Sequence, residues 1–140
     1  MKYLNSILLI DDNPHTNFFN KKLIGKLGIV KEVFVAENGQ LALDYLTNQG
    51  QFASNGNVYP QPDLIFLDIN MPVMDGWEFL EEYAKLPKEQ KGNILIIMLT
   101  TSPNEEDEKK ARSFADVHDY MRKPLTAELL TELMKTYFKD

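Results

Sequence analysis

The stretch Leu64-Ile-Phe-Leu-Asp68-Ile-Asn-Met-Pro-Val-Met-Asp-Gly76 decides the fold. Large apolar residues run unbroken up to a carboxylate. Such a run predicts a strand buried on both faces, as in a parallel sheet. Asp68 then falls at the carboxyl end of the strand, the edge at which open α/β sheets bind ligands. Pro72 and Gly76 follow at once and predict a tight loop that cannot continue the strand. This placement makes Asp68 a candidate nucleophile and phosphoryl acceptor.

Working outward from this strand, the same alternation repeats. Upstream, Ser6–Ile10 reads as a buried strand ending in Asp11-Asp12. Asn13-Pro14 supplies an N-cap and a first helical residue. Phe19, Leu23, Ile24 and Leu27 then form an apolar stripe that Gly28 closes. Val33–Ala36 is a second strand, and Asn38-Gly39 opens a helix with Leu41, Ala42, Tyr45 and Leu46 facing inward and its end near Gly50. The polar stretch 51–62 has no periodicity and reads as a flexible surface insertion, with a binding loop as the less favoured alternative.

Downstream, Asp75 and Glu78 form a capping box for a third helix, with Trp77, Leu80, Tyr83 and Ala84 facing in and Pro87 at its end or break. Ile94–Leu99 is another buried strand, followed by Thr100-Thr101. Ser102-Pro103-Asn104-Glu105 reads as a capping box with Pro103 at the first helical position, opening a fourth helix that runs to about Phe114. That helix is nearly all charge, anchored by Ala111, Phe114 and Ala115. Val117–Met121 is a short edge-type strand before Arg122-Lys123-Pro124. Thr126 caps the last helix, with Leu125 and Leu130 as a hydrophobic staple and Leu129, Leu133, Met134 and Tyr137 along its apolar face. Strict β-α alternation, five times over, predicts a parallel sheet with helices on both faces. The expectation is one domain over residues 1–140, with no output domain.

Composition narrows the function. The 140 residues carry a net charge of −6 and no cysteine. Electrostatic attraction to nucleic acid or anionic membrane is not expected, and thiol or Cys-ligated metal chemistry is excluded. No apolar run approaches membrane-spanning length, and the N-terminus lacks a signal-peptide core, so the expected location is the cytoplasm.

The polar residues at strand ends carry the chemistry. Asp11 and Asp12 follow the first strand, Asp68 ends the third, Thr100 follows the fourth and Lys123 follows the fifth. With the flavodoxin-like strand order 2-1-3-4-5, all five converge on one crevice at the topological switch point. Three carboxylates held together repel one another unless a cation joins them. Mg²⁺ is the natural partner, since it binds carboxylates, waters and a phosphate. A metal, an ammonium and a hydroxyl are the parts phosphoryl transfer needs. Carboxylates are established covalent acceptors of phosphate.

The combination Ile-Asp11-Asp12, Leu-Asp68-Ile-Asn-Met-Pro-Val-Met-Asp-Gly76, Leu-Thr100 and Tyr120-Met-Arg-Lys123-Pro124 resembles the receiver domain of two-component response regulators, over essentially the whole chain. The resemblance implies phosphorylation of Asp68 by a histidine kinase or histidine phosphotransfer protein. It implies Mg²⁺ held by Asp12 directly, by Asp11 often through water, by Asp68 and by the backbone carbonyl of Asn70. Thr100 and Lys123 would contact the phosphoryl group, Asp68 and Lys123 being the catalytic pair. Thr100 and Tyr120 would act as the switch. The expected output is protein contact through the face of the fourth helix, fifth strand and last helix, to a downstream target or as a phosphorylation-dependent homodimer.

Two other classes compete. A Mg²⁺-dependent aspartyl phosphatase of the haloacid dehalogenase type usually has a second Asp where this chain has Asn70. A flavodoxin-like cofactor binder needs a phosphate cradle after the first strand, where this chain has the anionic Asp11-Asp12-Asn13-Pro14. A phosphate shuttle without its own output stays within the leading class.

Overall fold

The computed structural model describes residues 3–52 and 60–138. The elements are β1 (Leu4–Ile10), α1 (Pro14–Leu27), β2 (Val30–Ala36), α2 (Gly39–Thr47), β3 (Leu64–Asp68), α3 (Gly76–Ala84), α4 (Lys88–Lys91), β4 (Leu95–Thr100), α5 (Glu105–Arg112), β5 (Val117–Arg122) and α6 (Ala127–Tyr137). All strand pairs are parallel, in the order β2-β1-β3-β4-β5. This is the flavodoxin-like order expected from the sequence. Asp68, ending β3, pairs in register with Leu99 of β4. Ile10, ending β1, pairs with Leu67.

The pleat divides the core in two. Leu8, Ile10, Ile65, Leu67, Ile96 and Met98 face α2, α3 and α5. Ile7, Leu9, Leu64, Phe66, Ile97 and Leu99 face α1 and α6. Each fully buried Leu or Ile contributes roughly 1.5–3 kcal/mol. The apolar runs of the sequence are therefore doubly covered strands, and the polar residues just past them are forced to one edge of the sheet.

Local chemistry sets the helix ends. Asn13 Oδ1 accepts from the His15 and Thr16 amides at 2.9 and 3.1 Å, and Gly28 stops α1 in the left-handed region at φ 63°. The Asp75–Glu78 capping box is present. Thr126 caps α6 by accepting from the Leu129 amide at 3.1 Å.

Several details depart from the sequence reading. α5 is capped by Asn104, which accepts from Asp107 N at 2.8 Å, and Pro103 lies ahead of the cap. Ser102 is drawn back instead, its amide donating to Thr100 Oγ1 at 3.2 Å. α2 ends at Asn48 in the left-handed region, before Gly50. Phe19 is 73% exposed, so the buried stripe of α1 narrows to Ile24 with Leu23 and Leu27 at its margin. On α3 the buried residues are Gly76, Phe79, Leu80 and Tyr83, while Ala84 faces solvent. Trp77 is half-buried, stacked on Phe114 at 6.3 Å between ring centroids and covered by the Lys110 ammonium at 4.7 Å. Ala115 is exposed. An extra short helix, α4, follows Pro87, so the α-helices among the described residues number six where five were expected. Of the polar stretch 51–62, the end of a 3-10 turn at Phe52 is buried and Pro60–Pro62 returns to the body, where Tyr45 Oη donates to the Pro60 carbonyl at 2.8 Å. Residues 53–59 lie outside the described residues.

Candidate functional site

The site forms where β1 and β3 part company with their connections. Asp11, immediately after β1, is buried, and every hydrogen-bonding group it has is engaged. Its amide donates to Ala36 O at 3.1 Å, and its carbonyl accepts from Asn17 Nδ2 at 2.8 Å. Its Oδ1 accepts from Asn13 N at 2.9 Å and its Oδ2 from the Lys123 ammonium at 2.7 Å. Asp12 points out and is exposed. Asp68 is half-buried, with Oδ1 accepting from Lys123 Nζ at 3.2 Å. Oxygens of Asp11, Asp12 and Asp68 all lie within 4.8 Å of one another.

Two further elements close the site. Thr100 is buried at the end of β4, one position past the Asp68–Leu99 pair. Its carbonyl accepts from Lys123 N at 2.7 Å, which ties the end of β5 to the end of β4. The β3–α3 loop is held from beneath. Gly76 N donates to Ile69 O at 2.8 Å, and a Cβ on Gly76 would lie 2.5 Å from the Asp68 carbonyl oxygen. Only glycine permits this approach. Val73 in the same loop has φ 66°, an uncommon conformation for a β-branched residue.

The electrostatics follow from this packing. Burial and the neighbouring Asp11 charge push the Asp68 carboxyl above the ordinary 3.8, against the pull of Lys123. For Lys123, burial lowers the ammonium, but the hydrogen bond to Asp11 and the charges of Asp11 and Asp68 outweigh it and leave it raised. Three carboxylates and one ammonium carry a formal −2. The donor set is all hard oxygen, which suits Mg²⁺, Mn²⁺ or Ca²⁺ and not a soft metal.

The structure thus brings Asp11, Asp12, Asp68 and Lys123 together and places Thr100 at the next strand end. Asn70 is exposed just beyond Asp68. Tyr120 is buried on β5, and its hydroxyl has no partner among the described residues. Two features escaped the sequence reading. Asn17 lies on the buried face of α1, two turns before Ile24, where a polar residue on an apolar stripe was the available signal. Phe18 and Phe19 are 64% and 73% exposed. Phe19 lines a cavity of about 410 Å³ with His15, Thr101, Arg122 and Pro124, beside the acidic cluster.

Comparison with known proteins agrees with this geometry. The chain is 34% identical over 132 residues to Two-component response regulator 24 of Arabidopsis thaliana, covering 94% of this chain and 83% of that protein. It is 33% identical over 101 residues to Response regulator Rcp1 of Synechocystis, covering 72% of this chain and 65% of Rcp1. A solved two-component response regulator from Cytophaga hutchinsonii superposes with a TM-score of 0.82 at 30% identity, covering 96% of this chain and 97% of that one. The solved Mn²⁺-bound form of Rcp1 superposes with a TM-score of 0.74 at 26% identity, covering 96% of this chain and 94% of that one. The family model for the response regulator receiver domain matches residues 7–135, and the chain belongs to that family.

Proposed function

We propose that this protein is a phosphorylation-dependent switch of two-component signalling, with Asp68 as the acceptor. One observation carries the reading: three carboxylates share a space of 4.8 Å with a lysine ammonium 3.2 Å from the candidate nucleophile. An Asp68 oxygen attacks the phosphorus of a phosphohistidine on a sensor histidine kinase or histidine phosphotransfer protein. The new O–P bond forms as the N–P bond breaks, and the imidazole leaves with the bonding pair and takes up a proton. Asp12, Asp11, Asp68 and the Asn70 carbonyl would hold Mg²⁺, which when bound neutralises charge on the cluster and on the phosphoryl oxygens. Lys123 and the Thr100 hydroxyl donate to those oxygens. The exposed Phe19, which lines the cavity beside the cluster, and its exposed neighbour Phe18 support docking of the donor protein there.

The signal leaves by the face of α5, β5 and α6, toward a target protein or a second copy. α5 supports this role because Ala111 is its one fully buried residue. Tyr120 lies inward here, 7% exposed, the position proposed to be favoured by phosphorylation. Its hydroxyl, without a partner among the described residues, leaves that position weakly held. Tyr120→Ala is expected to keep Asp68 phosphorylation and lose the beryllofluoride-induced change in amide exchange over residues 102–120. An unchanged exchange response in this variant sinks the route. For the parent reading, intact-mass spectrometry after incubation with acetyl phosphate is the test. A phosphoryl adduct is expected with Mg²⁺, and none is expected with chelator or in Asp68→Asn. Equal labelling of Asp68→Asn overturns the assignment.

A further inference from the structure

Beneath the acidic cluster lies a cavity of about 10 Å³, lined by Asp11, Asn17, Asn20, Asp68 and Lys123 over the apolar floor of Phe66 and Leu99. This is the scale of one water molecule, which needs roughly 10–15 Å³ and two to four polar partners. Asn17 is 6% exposed. Its Nδ2 donates to the Asp11 carbonyl at 2.8 Å, but its buried Oδ1 has no partner among the described residues. Buried amide oxygens are almost always hydrogen-bonded. Lys123 lines the same cavity, and its ammonium has three protons, of which Asp11 and Asp68 accept two.

We propose that Asn17 is a positioning residue of this site: its amide group fixes the turn carrying Asp11 and Asp12, and its Oδ1, through a single water in the cavity, holds the third proton of the Lys123 ammonium. The β1–α1 turn is thereby clamped at both ends, since Asn17 N also donates to Asn13 O at 3.1 Å. The ammonium is aimed by three acceptors and keeps its orientation when the Asp68 carboxylate becomes an acyl phosphate. Asn17 touches neither metal nor phosphoryl group and acts through Asp11 and Lys123.

The proposal rests on the reading of the cluster as a phosphoryl site, and its test separates the two. A crystal structure of the wild-type protein, at a resolution that shows ordered water, is expected to place one water within hydrogen-bond reach of both Asn17 Oδ1 and Lys123 Nζ. A dry cavity, or a protein donor on Oδ1, overturns the proposal without bearing on Asp68. Asn17→Leu keeps the size of the side chain and removes both hydrogen bonds. In it, the Lys123 ammonium protons, followed by nitrogen NMR, are expected to exchange with solvent about tenfold faster, as for loss of a hydrogen bond to a charged group. The phosphorylation rate at saturating acetyl phosphate is expected to fall by a similar factor, with the half-saturating concentration unchanged. A purely structural role lowers the melting temperature and leaves ammonium exchange and rate as in wild type, which overturns the proposal. If Asn17→Leu does not fold, the wild-type crystal structure decides. Wild type that takes no phosphoryl group from acetyl phosphate fails the parent reading alone.

Discussion

Gly76→Ala isolates the contact between α3 and the peptide of the candidate nucleophile. The added Cβ would sit 2.5 Å from the Asp68 carbonyl oxygen and 3.0 Å from Ile69 Cα, both backbone atoms. Ordinary C···O contacts begin at about 3.3 Å, so the shortfall is about 0.8 Å and no side-chain rotation relieves it. Forcing extra volume into a packed site typically costs about 1–3 kcal/mol. For a domain of this size each kcal/mol lowers Tm by about 4 °C, which gives an expected fall of roughly 4–12 °C. The same displacement moves the Asp68 carboxylate, and a misplacement near 1 Å costs up to about a hundredfold in rate. Thermal melts and the initial rate of labelling by acetyl phosphate read the two effects. Gly25→Ala is the control. Its Cβ meets nothing within 4 Å and its place is inside α1, so it is expected to stabilise the fold. A Gly76→Ala protein that melts and labels like wild type refutes the packing of α3 on the nucleophile's peptide.

Other predictions test the electrostatics and the caps. In metal-free buffer Asp68 holds its proton more tightly folded than unfolded, so its ionisation costs stability as pH rises from 3.8 through the raised native value. Asp68→Asn is therefore expected to be more stable than wild type at pH 7 in chelator, the gain vanishing below pH 3.8, and denaturant titrations over pH that show a loss at pH 7 contradict this. Asp12→Ala is expected to weaken Mg²⁺ binding more than Asp11→Ala, read by Trp77 fluorescence. Asp11→Ala is expected to be the less stable of the two, because it strips acceptors from Asn13 N and Lys123 Nζ. Asn104→Ala removes the cap of α5 and is expected to cost about 1 kcal/mol in chemical denaturation, while Ser102→Ala costs little.

The apolar runs made the strands legible, and the turn chemistry after each one placed Asp11, Asp12, Asp68, Thr100 and Lys123 on a common edge. Helix faces were harder to read. Phe19 keeps the helical spacing of Leu23 yet is 73% exposed, because it lines the open cavity beside Thr101, Arg122 and Pro124 instead of the core. Ala84 follows Tyr83 by a 100° turn, enough to leave the buried face. Ser102 and Asn104 both suit a cap, and Thr100 Oγ1 captures the Ser102 amide in a local turn two residues long, which leaves Asn104 to cap α5. Asn17 was hidden because its partner is the backbone of the preceding strand end, six residues back across the turn.

The central claim is that Asp68, and no neighbouring carboxylate, takes the phosphoryl group. Peptide mass spectrometry of the protein after reaction with acetyl phosphate and Mg²⁺, with the acyl phosphate trapped by borohydride reduction, locates it directly. The account predicts modification at Asp68 alone, lost with chelator. Modification at Asp11 or Asp12, or none at Asp68 with Mg²⁺ present, contradicts it.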